Sequence, residues 1–474
     1  MSMRTAPRLV VALSAVAVAS WSAAAVSAAG ARAAAAPAPV EPNGPALIDA
    51  ARRGDADVVE TLIEAGADVG VTGGDGSTAL LWASHRDDLD TARRLLEAGA
   101  AVDAANDLGA TPLWAASQNG SRAMVRLLLA AEADPDLALL SGETPVMVAA
   151  RAGSAEVVEL LAGAGADLDR RGSRGQTALM WAVAQHHADV VGALLAHGAD
   201  PHVRSDVWSQ VMGVPPHGQY GYNREIPHGG NTALLFAARA GDLASARLLV
   251  DAGADVNDTN AWGVSAVTMA AHSGYRELVA FLLQQGADPD ADEAGFAALH
   301  EAVLRRDAEL AAVLLDHGAD PNVLLRTWTP ARRASRDYNF RPSLIGATPF
   351  WLAARFGEVG LMRLLVAHGA DPTFVHQADY IADGSFERRR EATTALMAAL
   401  GMGGGRRLRA WFPPLPGDPE ARVLAAVTLA ADLGADIRAA GTDGRTALDE
   451  AEALQYVSVV EFLVERGAES DDLP

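Results

Sequence analysis

The chain has 474 residues, half of them hydrophobic but only 5% aromatic, and a formal charge of −22 that argues against nucleic acid as its main partner. It contains no cysteine, which excludes disulfides, a thiol nucleophile, cysteine metal sites and a lipoprotein anchor. All 38 basic residues are arginine, so a phosphate-loop lysine and a Schiff-base lysine are excluded as well.

The N-terminus has the pattern of an export signal. Arg4 and Arg8 supply a positive start, Leu9 to Ala19 an apolar run, and Val26-Ser27-Ala28 a small-residue cleavage site. Residues 1–28 are therefore expected to be a signal peptide, with the protein periplasmic or secreted. No stable membrane insertion is expected after cleavage. The alternative is an uncleaved anchor, because Leu9 to Ala28 is nearly long enough to span a bilayer. Residues 29–44, rich in alanine and proline, are expected to be a linker.

From residue 45 to residue 474 one unit recurs. Thr78, Thr111, Thr144 and Thr177 stand 33 residues apart, and the position returns as Thr232, Ser265, Ala297, Thr348, Thr394 and Thr446. Thr232 to Gly263 shows the local chemistry. Thr232 can cap a first helix whose greasy side is Leu234 to Ala238. Gly241 supplies a left-handed stop, and Asp242 caps a second helix with Ala244, Ala246, Leu248 and Leu249 on its expected buried stripe. Gly253 ends that helix, and Asp255 to Gly263 is turn chemistry. Helices this short are marginal alone and need neighbouring copies to cover both faces.

This unit resembles the ankyrin repeat, whose signature is T-P-L-H-x-A at a period of 33. The resemblance implies an all-α solenoid of about eleven stacked helix-turn-helix units joined by β-hairpin-like loops. Units are numbered 1 to 11 from residue 45. The end units are expected to be polar caps, through Asp49, Arg52, Arg53 and Asp55 at one end and Glu465, Arg466 and Glu469 at the other. Asp87 and His186 replace the inter-helix glycine, and Ala297 lacks a capping hydroxyl, so irregular junctions are expected there.

Measured against this period, the chain is lengthened in four places. The usual interval from the Gly-Ala-Asp aspartate to the next cap is 10 residues, as from Asp68 to Thr78. It becomes 32 from Asp200 to Thr232, 28 from Asp320 to Thr348 and 23 from Asp371 to Thr394. These hairpin inserts occupy residues 201–231, 321–347 and 372–393, and they are expected to emerge on one face. A fourth insert, 401–419, lies between the two helices of unit 10 and is expected near the opposite edge. The four inserts sum to +5 and the remaining residues to −27, so an acidic scaffold carries comparatively basic, aromatic loops.

Candidate partner-binding residues are Trp208, Tyr220, Tyr222 and Arg224 in the first insert, and Trp328, Arg332, Arg333, Tyr338, Phe340 and Arg341 in the second. Tryptophan, tyrosine and arginine dominate interface hot spots. First-helix ends such as His85, Arg86, Asn119, Arg151, Arg239, His272, Arg305 and Arg355 are further candidates, because the resemblance places them beside a concave binding face. Asp288, Asp290 and Asp292 imitate a calcium loop but lack its glycine and final glutamate, and read as an ordinary repeat turn. The histidines show no metal-protease spacing, and no cofactor or metal is expected. Gly401 to Gly405 reads as a flexible connector.

The expected function is non-catalytic protein–protein interaction outside the cytoplasm, by a monomer whose partner carries an acidic patch. The alternatives are polysaccharide or cell-wall binding through the insert aromatics, and an enzyme with a site in 201–231 that uses His217 or His228. Deleting 321–347 is expected to leave the helices intact and abolish partner capture.

Overall fold

A computed structural model describes residues 44–212, 224–329, 340–382, 387–404 and 417–469. The expected signal peptide and nearly all of the linker lie outside the described residues. The rest forms the repeating array. Its first helices are Gly44–Arg53, Ala79–His85, Pro112–Gln118, Pro145–Ala152, Ala178–Ala184, Ala233–Ala240, Ala266–Ser273, Ala298–Leu304, Pro349–Arg355, Ala395–Ala399 and Ala447–Ala453. Each is followed by a second helix, Ala56–Glu64, Leu89–Glu97, Arg122–Ala130, Ala155–Gly163, Ala188–Ala196, Leu243–Asp251, Arg276–Gln284, Ala308–Asp316, Val359–Ala367, Pro419–Asp432 and Val457–Glu465 in turn. The eleven pairs match the sequence period. The second helix of unit 10 is 14 residues long, where its counterparts have 9.

Where the recurring position is threonine or serine, it starts its first helix by accepting a backbone N–H three residues on. The distances are 3.2 Å from Leu81 to Thr78, 3.1 Å from Trp114 to Thr111 and 3.3 Å from Trp351 to Thr348. Thr232 is the exception. Its hydroxyl is buried and makes no cap bond, although its backbone has the capping conformation. In unit 8 the buried imidazole of His300 takes over, with Nδ1 accepting the Ala297 N–H at 3.1 Å. Burial pushes the His300 pKa down to about 4, against the opposing pull of the Val323 and Ala347 carbonyls. Second helices are capped by Asp88, Asp242 and Asp307 in the same way.

The turn between paired helices needs a left-handed residue. Gly153 and Gly241 supply it with φ of 79° and 76°. Asp87, His186, Arg306 and Gln455 adopt φ of 61°, 62°, 59° and 59° without being glycine. The expected irregularity is thus absent. The turn is kept at a cost of roughly 1 kcal/mol at each such residue.

Apolar residues of successive units form one continuous core from Leu47 to Ala468. Alanines on the first helices let the helices approach closely. The connecting loops are stitched together by a second device. The Asp134 N–H donates to Asp103, that of Asp167 to Asp136, and that of Asp200 to Asp169. Asn257 and Asn322 accept in the same manner from Asp288 and Asp371. Asp288 and Asp290 are both consumed by this ladder, which explains their calcium-like spacing. Loop tips also pair, as from Leu140 N–H to Leu108 C=O at 2.9 Å.

Two inserts contain regular hairpins. Strand β1 (Trp208–Met212) pairs antiparallel with β2 (Arg224–His228), and β3 (His376–Ile381) with β4 (Arg388–Thr393). No described helix is long and apolar enough to cross a membrane.

Candidate functional site

The first insert rises from the row of loop tips. Its base is closed where the Ser205 N–H meets the Asn231 carbonyl at 3.0 Å and the Asn231 N–H meets Ser205 Oγ at 3.0 Å. Arg204 fastens this base to the next loop, donating to the Thr259 carbonyl at 2.7 Å and pairing with Asp258. The Asp206 N–H makes the last bond to the preceding tip, 2.8 Å from the Arg174 carbonyl, and Arg171 pairs with the Asp206 carboxylate at 2.5 Å. Beyond that point β1 and β2 stand above the neighbouring turns. Arg171, Arg174, Asp206, Val207 and Trp208 surround the foot of the hairpin.

The hairpin has two unlike faces. On one, Ile226 is buried against Trp328, with Met212, Trp262 and Ile345 around them. Arg224 lies over the Trp328 ring at 5.6 Å. On this same side Trp208 stacks on His228, with centroids 4.5 Å apart, yet stays 43% exposed. The other face carries Val207 and Val211, 62% and 66% exposed, with Ser209 between them.

The second insert does something else. Trp328 is 4% and Phe340 1% exposed, so neither is available as a partner anchor, and that expectation is corrected. Phe340 lies 5.7 Å from Phe296 and 6.1 Å from His300, ring to ring. The Thr329 N–H donates to the Phe340 carbonyl at 3.0 Å, and the Phe340 N–H donates to Thr329 Oγ1 at 2.8 Å. Leu325 and Leu344 are buried alongside. Deleting 321–347 would remove part of the core, so the expectation that the helices tolerate this deletion is also corrected. Arg341 is half-buried and has a partner of its own. Tyr220, Tyr222, Arg332, Arg333 and Tyr338 lie outside the described residues.

In the third insert, His376 packs against Trp351 at 4.1 Å, and its Nε2 lies 3.0 Å from the Ile345 carbonyl. Burial holds this imidazole below its usual pKa, toward the neutral form. Tyr380 donates to Glu391 at 2.7 Å, and burial followed by that carboxylate raises its pKa. Asp379 bridges Arg388 and Arg390 on the exposed side.

The described stem of the fourth insert, Gly401–Gly404, doubles back over the first helices of units 9 and 10, and residues 405–416 lie outside the described residues. Ser343 Oγ donates to the Gly404 carbonyl at 2.6 Å, and Arg355 Nε to that of Gly403 at 3.2 Å. A Cβ on Gly403 would fall 2.6 Å from Thr393 Oγ1, and one on Gly404 3.0 Å from Leu344. These glycines permit close packing, so the stem is a fitted strap and not a loose connector.

Several first-helix ends are braces between units. Asn119 Nδ2 donates to the His85 carbonyl at 2.7 Å, Arg305 to the His272 carbonyl at 2.8 Å, and His272 pairs with Glu301 at 3.0 Å. Arg239 is exposed but lies with its guanidinium 4.7 Å from the Phe236 ring centroid, and desolvation lowers its pKa. Two exposed residues were missed from sequence, Leu108 and Leu140, adjacent at the tips after units 2 and 3. Their signal is a leucine where a turn tip ordinarily carries a polar residue.

The family model for ankyrin repeats in three copies matches residues 47–139, 131–205 and 234–324, and the single ankyrin repeat model matches 345–377. The chain belongs to the ankyrin repeat family. The unmatched stretches between those segments fall on the first two inserts. An ankyrin repeat and KH domain-containing protein of Caenorhabditis briggsae is 28% identical over 246 residues, covering 52% of this chain and 9% of that protein. Rabankyrin-5 of Mus musculus is 42% identical over 74 residues, covering 15% of this chain and 6% of that one. The chain thus spans less than a tenth of the length of these curated relatives. The human ASB11 ankyrin repeat domain is 28% identical, with a TM-score of 0.42 over 51% of this chain and 98% of that one. Ankyrin repeats generally mediate protein–protein interaction.

Proposed function

We propose that this ankyrin array is a non-catalytic scaffold that acts outside the cytoplasm and binds a protein partner on the side formed by its first helices and hairpin inserts. The observation that carries the reading is the first insert. It lifts Val207, Trp208 and Val211 into solvent on a base fixed by Ser205, Asn231 and Arg204. Exposed apolar side chains on a rigid support lose little entropy on binding. With Trp328 and Phe340 buried, the reading rests on this insert and on the tips bearing Leu108 and Leu140. The N-terminal pattern of Arg4, Arg8 and Val26-Ser27-Ala28 supports export.

Two experiments test the reading. Affinity capture with the full chain recovers a protein bound in fixed proportion, and the double variant Trp208→Ala, Arg224→Ala loses it. Recovery of glycan without protein moves the function to polysaccharide binding. A reporter active only outside the cytoplasm, fused after residue 45, gains activity when the signal is functional. Its silence contradicts the proposed location.

A further inference from the structure

The proposal concerns the unpaired edge of β1 and rests on the protein-binding reading above. Among the described residues the β1–β2 sheet has two strands only, so each strand has one edge without a strand partner. The two edges are protected very differently. Strand β2 carries Arg224, Glu225 and Pro227, and charge and proline are the usual guards against edge-to-edge pairing. Residues 207–212 read Val-Trp-Ser-Gln-Val-Met, with neither charge nor proline. An uncharged, proline-free edge strand with exposed β-branched side chains is a template for another extended chain.

The register shows which backbone groups are free. Ser209 stands opposite Pro227, and Val211 opposite Glu225. Pro227 has no N–H to offer Ser209, so this is a non-hydrogen-bonded pair, and Val211–Glu225 is the next of the same kind. The N–H and C=O of Ser209 and Val211 therefore point away from β2. Below them, Asp206 still bonds to the preceding tip at Arg174. Among the described residues, no backbone bond from 207–212 reaches beyond the hairpin. At the foot of this edge lies an open depression of about 560 Å³ lined by Arg174, Asp206, Val207 and Trp208. That volume admits a large side chain.

We infer that the outer edge of β1 is a docking site for an extended peptide segment of a different protein, which adds a third strand to the β1–β2 sheet. Backbone bonds to Ser209 and Val211 supply the affinity. Alternate apolar side chains of the peptide pack over Val207 and Val211, and one large side chain enters the depression beside Trp208. The occupant is a different protein because a second copy would carry the same net charge of −22 as this one, and that overall repulsion opposes self-association.

The test uses displayed random peptides of about twelve residues, selected on the immobilised full chain and then measured against single variants. Ser209→Pro removes an outward N–H and leaves the β2 pairing intact, while Ser209→Ala keeps the N–H. Enriched peptides are expected to alternate apolar residues and to bind Ser209→Pro at least about tenfold more weakly, with Ser209→Ala near wild type. Hydrogen exchange at Ser209 and Val211 is expected to slow on binding. N-methylation of alternate peptide nitrogens gives a second route to the same loss and leaves the protein untouched. Peptides that bind Ser209→Pro as tightly as wild type, or leave both amides exchanging freely, overturn the edge proposal while the scaffold reading stands. Failure to enrich any peptide also overturns it, and the scaffold reading is then judged by the capture experiment alone. A wild type that sediments as a dimer, with Ser209→Pro a monomer, assigns the edge to a second copy and overturns the proposal.

Discussion

Replacing Phe340 with alanine separates the two insert types. Phe340 is essentially inaccessible, wedged between Phe296 and His300, and its backbone holds Thr329 by two bonds. Truncating such a ring leaves a cavity that the rigid flanking helices cannot fill, at a cost of about 3–5 kcal/mol. In a stacked array each unit touches only its neighbours, so the loss concentrates on units 7 to 9. Hydrogen exchange read by mass spectrometry resolves this. Amides of Ala298–Leu304 and Pro349–Arg355 are expected to exchange about a hundred to several thousand times faster, with Ala79–His85 unchanged. Trp208→Ala removes a ring that is nearly half exposed and stacks on His228 within the hairpin, so its cost is expected to fall on the hairpin and to leave exchange of Ala298–Leu304 and Pro349–Arg355 unchanged. The reasoning is refuted if Phe340→Ala leaves exchange unaltered, or if Trp208→Ala destabilises the array as much.

Three further outcomes follow from the repeat chemistry. Asp103, Asp169 and Asp290 have pKa values raised by burial and by the like charges they face, offset in part by the N–H each accepts. A raised folded-state pKa costs stability at neutral pH and returns it as pH falls, so Asp→Asn at these positions, imitating Asn257 and Asn322, is expected to stabilise by about 0.5 kcal/mol each at pH 7. Urea titration should show the gain shrinking as pH falls through the raised folded-state pKa and gone below the ordinary aspartate value of about 3.9. His300 behaves oppositely. Its pKa is depressed from 6.5 to about 4, so its contribution is complete above 6.5 and lost as pH falls toward 4, by about 3 kcal/mol. Between pH 7 and 5, His300→Gln should therefore lose stability less steeply than wild type in urea melts. Gln455→Gly relieves a left-handed φ of 59° and should raise the melting temperature of the C-terminal unit, a gain of about 1 kcal/mol.

The array was legible because its rules are local. A threonine three residues before a backbone N–H, and a glycine where φ must be positive, declare themselves in the order of residues. The inserts obey no such period. Whether Phe340 or Trp208 faces solvent depends on distant partners, Phe296 and His300 for the first and His228 for the second, which local sequence does not bring near. Composition marked both aromatics as anchors, and tertiary packing divided them. Gly401 to Gly404 misled for a related reason. A run of glycines offers no side-chain pattern, so it reads as slack, while its role is to let the backbone lie against Thr393 and Trp351. Thr232, the model cap from sequence, makes no cap bond even though its neighbours in the array do.

The most direct test of the account is excision of residues 207–228. Asp206 and Gly229 already touch, since a Cβ on Gly229 would fall 1.9 Å from the Asp206 carbonyl oxygen. Removing these 22 residues shortens the Asp200 to Thr232 interval from 32 to 10, the ordinary spacing, and leaves Gly230 in place for the turn at a φ of 66°. The lost Ile226–Trp328 contact costs about 1–3 kcal/mol locally. The shortened chain is predicted to keep wild-type helical circular dichroism while failing to capture the protein that the full chain retains. Undiminished capture by the well-folded shortened chain would contradict the claim that this insert carries the binding function.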